Sequence, residues 1–389
     1  MTEPSDFLAI AGADGVARVL RNRGDAWVEA AVTTGWWPTW RPGRPAFALS
    51  RVEGRGEAPH AALHLQGVDG GDVPVPGSLS APAALIAERV AHYALWDPAG
   101  RELSYVMPAG RTLAARLWRA GEAEARTLTG GTPIFLAWAA DGSYLVLHHG
   151  PNLTLVERET GHQFPLSANA TGFRTPAISP DGTTVVHAEA TGEGTTLFAS
   201  AWPGASRREL GRFAGGVALA FRPGTTEVSV AVTTGAEAGV FHALYTVDAL
   251  EGGEPRLLVR GPLLGYWWAP RGDRLAALVP AYTGDGRYQL RFHAPGGRFL
   301  RAMEPITFSP DSRTMVSFFD QFQLSHRPWS ADGRWFAFGG RLLTDGIPAS
   351  FADGQLDAVF LAGAVDGGPW VRAGAGFAGF FPPREVNRE

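Results

Sequence analysis

A carboxylate, a carboxamide, an imidazole and a guanidinium fall close together at Asp320, Gln321, His326 and Arg327, inside the aromatic segment Phe318–Trp329 (FFDQFQLSHRPW). Such a set suits acid–base work, with Asp320 orienting the His326 ring and Arg327 holding an anion. The same four residues equally suit a structural task, satisfying the backbone of a buried loop. Proximity in sequence fixes no geometry, so the structural reading is favoured and the chain leans away from catalysis.

Other chemistry is thin. There is no cysteine, hence no disulfide, thiol nucleophile or Cys-ligated zinc. All 34 basic residues are arginine, which removes a Schiff-base lysine and a Walker-type phosphate loop. No G-x-S-x-G nucleophile elbow occurs. Gly374, Gly376 and Gly379 spell G-x-G-x-x-G, but Phe380, Phe381, Pro382 and Pro383 follow, so no helix opens there to receive a pyrophosphate. His60 and His64 share a strand face without a third ligand nearby, and the adjacent His148 and His149 face opposite sides of a strand. No metal site and no cofactor are expected. The formal charge of −4 carries no basic footprint for nucleic acid. The opening MTEPSDFLAIAGADG lacks a basic, apolar leader, and no stretch has membrane-spanning length, so a cytoplasmic protein without membrane insertion is expected.

The elements that must position these residues repeat. A hydrophobic strand, a Pro/Asp/Gly turn and a second apolar strand recur through the chain, most clearly in TPAISPDGTTVV (Thr175–Val186). The turns open at Pro42, Pro98, Ala140, Pro180, Pro223, Pro270, Ala331 and Pro382, spaced 40 to 61 residues apart. Joining the chain ends leaves a gap of 49 residues, one more repeat. Each repeat parses into four short strands joined by Gly-rich turns. The reading is an all-β, single-domain closed propeller over 1–389, of eight four-stranded blades, with seven as the alternative. The C-terminal strand is expected to complete a blade begun by the N-terminus. The sequence Phe308–Asp311 (FSPD) imitates a turn but stands too near Ala331 for a full blade, so 305–325 is read as an insertion, with a hairpin as its expected form.

Alternation along each innermost strand then sorts its residues. Two before the turn stand Trp40, Trp96, Trp138, Ile178, Phe221, Trp268, Trp329 and Phe380, which suit packing between blades. Three before stand Thr39, Leu95, Ala137, Ala177 and Ala220 among others, small enough to line a channel. Five before, His326, Phe377, Trp37, Tyr93 and Phe135 form an aromatic crescent at one channel mouth, with Gln321 close by. Exposed contiguous aromatics are either covered or used. The long link Gly339–Asp357 and the insertion should both emerge beside His326.

The W-S-P-D-G-like turns resemble those of the WD-repeat-like propellers of the TolB type. That resemblance covers most of the chain and implies the fold alone. The expected function is a non-catalytic binding or scaffold propeller. It would hold a peptide, a protein partner or a small apolar ligand at the crescent face, through Trp37, Tyr93, Phe135, His326, Phe377 and Gln321. The alternative is a lyase or hydrolase using Asp320, His326 and Arg327.

Overall fold

The structure is a computed structural model, and it describes residues 7–24, 26–54, 59–68, 83–90, 93–170, 174–192, 194–203, 206–233, 239–281, 286–308, 310–342, 357–364 and 367–383. Most of the link Gly339–Asp357 lies outside the described residues.

Among the described residues the strands form six four-stranded antiparallel sheets and one larger sheet. Five of the small sheets are simple meanders, each taking one sequence repeat in chain order. The sixth joins the two ends of the chain. Its innermost strand, Ala378–Phe380, pairs antiparallel with Phe7–Ala11, and Val16–Asn22 and Trp27–Thr34 follow outward. The larger sheet holds two repeats, linked where Ile306–Thr307 pairs with Tyr288 on one side and with Arg341 and Leu342 on the other. No helix among the described residues is long and apolar enough to cross a membrane.

The turns explain the sequence pattern. In the Ser179–Gly182 turn, the Ser179 hydroxyl donates to Asp181 at 2.5 Å and accepts the Thr184 amide at 2.9 Å. Ser330 and Asp332 repeat this arrangement. The carboxylates therefore hold turn backbone. A glycine must follow because the backbone there is left-handed, with φ of 75° at Gly182 and 71° at Gly333. Asp311 is followed by Ser312 instead. The expected hairpin at 305–325 is accordingly replaced by two short helices, α1 (Pro310–Ser317) and α2 (Phe319–Ser325). Proline in the first turn and an early acid, Asp311, favour a helix start over a strand turn.

Adjacent sheets are stitched by the indoles that stand two residues before five of the eight turns. Trp96 Nε1 donates to the Thr39 carbonyl at 3.3 Å, Trp138 to that of Leu95 at 3.2 Å and Trp329 to that of Trp267 at 3.1 Å. Trp40 crosses the chain-end seam to the Phe380 carbonyl at 2.9 Å. Each of these rings is buried. Replacing Trp96 by Phe removes the donor, keeps most of the packing and strands a buried carbonyl. The expected loss is about 1–3 kcal/mol, read from the urea midpoint.

One sheet also stores a pH response. His187 is 1% exposed and stands 3.3 Å from Glu189, with Arg207 beyond it. Burial pushes its pKa down to about 4, against a smaller opposing pull from Glu189. The unfolded histidine titrates near 6.5. Between those values the unfolded chain binds a proton that the folded chain refuses. Stability is therefore full above about pH 6.5 and falls as the pH drops toward 4, by up to about 3 kcal/mol from this residue. Burial lowers His64, His148 and His293 in the same direction. Urea midpoints across this range should show the slope, and His187→Gln should flatten it.

Candidate functional site

The inner strands surround a cavity of about 370 Å³. Thr39, Leu95, Ala137, Ala177 and Ala220 all line it, as alternation along the strands requires. Pro42, Pro98, Ala140, Pro180 and Pro223 line it too, so the cavity opens toward the turn face. Its opposite end is floored by Asp320, Gln323, Leu324 and Ser325 of α2.

The aromatic crescent forms on the other side of that floor, and α2 sits on it. The Trp37 ring stacks on Phe322 with centroids 5.3 Å apart and meets Phe377 edge-on at 5.3 Å. Tyr93 and Phe135 pack together at 5.5 Å beside Leu324. Phe135 and Phe377 are buried, while Trp37, Tyr93 and Gln321 are half-buried. Burial pushes the Tyr93 phenol far up, and its hydroxyl donates to the Leu136 carbonyl. Trp37 has φ of 57° at an irregularity in the pairing of its strand. A left-handed tryptophan costs about 1–3 kcal/mol, which its ring contacts with α2 offset.

At the far end of α2, the Phe319 ring lies 5.1 Å from Tyr266, 5.6 Å from Trp267 and 5.8 Å from Phe241. Asp320 is wholly buried. Its carboxylate accepts from Arg174 Nη1 at 3.1 Å and from the Thr175 amide at 3.3 Å. Arg174 also donates to the Ser317 carbonyl at the end of α1.

His326 is 2% exposed among the rings of Trp37, Phe322 and Phe380. Its ring nitrogens lie 2.7 Å from the Ser325 hydroxyl and 3.3 Å from that of Thr39. Asp320 and His326 thus turn to different partners. Arg327 points elsewhere again, into the cavity. Its side chain is solvent-exposed there, while the surrounding protein lowers its pKa by desolvation.

Sequence reasoning missed Arg174, Gln323 and Ser325. Arg174 stands 146 residues from its carboxylate partner, a separation that spacing cannot reveal. Gln323 stands at helical spacing from Asp320, three residues on, a signal available only once 319–325 is read as a helix, and Ser325 gave no such signal.

No protein-family model matches this chain, and no curated protein matches it in sequence. Likeness appears in three dimensions. A crystal structure described as the eukaryotic initiation factor covers 98% of this chain and 99% of its own, with a TM-score of 0.57 at 11% identity. An oligogalacturonate lyase in complex with manganese covers 84% of this chain and 85% of its own, at TM-score 0.53 and 12% identity. TolB from Acinetobacter baumannii aligns over 87% of this chain and 83% of its own, at TM-score 0.44 and 13% identity. The fold argument rests on the first two, and at such identities the likeness is of fold alone: an all-β, propeller-like frame.

Proposed function

We propose that this chain is a single-domain, closed propeller of eight blades that binds a ligand rather than transforming one. The ligand, a small molecule or the end of a peptide, enters the central channel from the turn face. Closure is supported by the pairing of Ala378–Phe380 with Phe7–Ala11 and by the Trp40 indole reaching across that seam. The count of eight is supported by six four-stranded sheets beside a larger sheet that carries two repeats.

The observation that carries the binding reading is the cavity of about 370 Å³, floored by α2 and ringed by apolar residues, small side chains and tryptophans together. Its size falls in the range of ordinary ligand clefts, about 300–1,000 Å³. Apolar burial supplies the affinity, at about 25 cal/mol per Å² before association costs. Trp37, Tyr93, Phe135, Phe377, His326 and Gln321 then serve the site by seating its floor, not by touching the ligand. The acid–base alternative has less support, because Asp320 is held by Arg174 and His326 is packed among rings.

The test uses the indole N–H signals of Trp96, Trp138 and Trp268, which flank the channel. Small aromatic compounds should shift these signals in the native protein. Ala220→Trp, which fills the channel, should abolish the shifts while the protein stays folded. Binders that ignore this substitution, or that perturb only the crescent side of α2, would refute the reading.

A further inference from the structure

The charges around the channel do not balance, and the imbalance is local. Only two charged side chains line the cavity among the described residues, Asp320 and Arg327. Asp320 is already neutralised by Arg174 at 3.1 Å and held by the Thr175 amide. Other arginines near the inner strands have partners. Arg41 donates to the Gly100 carbonyl at 2.6 Å, and Arg222 to the Gly272 carbonyl and Glu227, each at 2.8 Å. The Arg327 guanidinium has no such partner among the described residues. Its only contact of this kind is through the backbone, where its carbonyl accepts from the Phe381 amide at 2.8 Å. Exposed in a concave cavity and without a counterion among the described residues, its N–H fork is free to engage an anion that can reach it.

The rest of the cavity narrows the class of anion. The walls are apolar: Leu95, Ala137, Ala177, Ala220 and the turn prolines, together with Trp40, Trp96, Trp138, Ile178, Phe221 and Trp268. Thr39, Thr175, Gln323 and Ser325 are the uncharged polar groups near the floor. One fork of N–H donors at the end of an apolar tube matches a single planar carboxylate carried on an apolar body. A multiply charged phosphate would meet only one compensating charge and would also lie near Asp320.

We infer that the channel is a carboxylate-binding site in which Arg327 engages the carboxylate of a ligand whose apolar body lies against the turn-face walls. This rests on the channel reading above and adds the chemistry of the ligand. The site holds a free carboxylic acid of aryl-alkanoate type or the C-terminal carboxylate of an apolar peptide by the same contact.

The experiment titrates the whole chain with phenylacetate, hydrocinnamate and phenylbutyrate, and with the amide of each, by calorimetry and by the channel indole signals. Wild-type protein should bind the acids at least tenfold more tightly than their amides. Arg327→Met should bring the acids down to the level of the amides and leave the amides unchanged. Because that side chain is exposed, its melting temperature should stay close to that of the wild type, which separates the effect from misfolding. A matched pair of apolar peptides, free and amidated at the C-terminus, shows whether a chain end enters as well. Acids and amides binding equally, both lost in Ala220→Trp, would overturn the carboxylate assignment and leave the channel reading standing. Acids that keep their affinity in Arg327→Met would overturn the role of this residue. If neither acids nor amides move the indole signals, both readings fall.

Discussion

Replacing Phe319 by Ala lowers the unfolding free energy by about 3–5 kcal/mol, one of the two largest losses expected in the molecule. The side chain is 1% exposed and wedged among Phe241, Tyr266 and Trp267, rings that belong to two different sheets. The strand at Gly265 approaches so closely that a Cβ there would lie 3.1 Å from the Phe319 ring. A cavity at this point cannot be filled without moving the frame, so the cost should stand near the upper end for a truncated aromatic. Two-state chemical denaturation measures it. Phe319→Leu, which keeps most of the volume, should recover more than half of the loss.

The second large effect belongs to Asp320. Asp320→Ala should cost about 3 kcal/mol, because it leaves the Arg174 cation beside the channel with no carboxylate. Arg174 retains 22% of its side-chain surface, so water relieves part of the stranded charge and keeps the loss from going higher. In a double-mutant cycle, Arg174→Leu combined with Asp320→Leu should be less harmful than the sum of the two single changes, by about 1–3 kcal/mol. Additive losses would mean that the pair does not act as a unit. Both changes remove contacts that hold α2 to the inner strands, so both should also open the crescent side of the channel.

The helices carry the difference between what the sequence discloses and what the fold adds. The repeat discloses the sheets because strands and turns are local. Alternation of two places Thr39, Leu95, Ala137, Ala177 and Ala220 on the channel wall, where they stand. Trp267, Pro328 and Gly379 of the same row instead line a separate pocket on the crescent side of α2, and the indoles that bond across neighbouring sheets also reach the cavity. The segment 310–325 is different. Eight and seven residues are too few for a helix to persist alone in water, so α1 and α2 exist because the channel end receives them. Their start also imitates the strand turn, and only the missing glycine after Asp311 separates the two. The aromatic crescent is legible as a cluster, yet whether it is open depends on what lies over it. Arg327 shows the same limit. In sequence it is a neighbour of Asp320. In space that carboxylate belongs to Arg174, 146 residues away in the chain, which leaves Arg327 without it.

The central claim is that the channel is open at the turn face and closed by α2 at the other. Ala218 and Ala220 lie on the same face of the strand Val217–Phe221, on either side of that floor: Ala220 lines the cavity, and Ala218 is fully buried in the cluster that contains Phe319. Since the chain has no cysteine of its own, each can be replaced by cysteine and its native-state reactivity with a small thiol reagent timed. Cysteine at 220 should react readily, and cysteine at 218 should stay inert until Phe319→Ala loosens the helix. Equal rates at the two positions, or an inert cysteine at 220, would contradict the account.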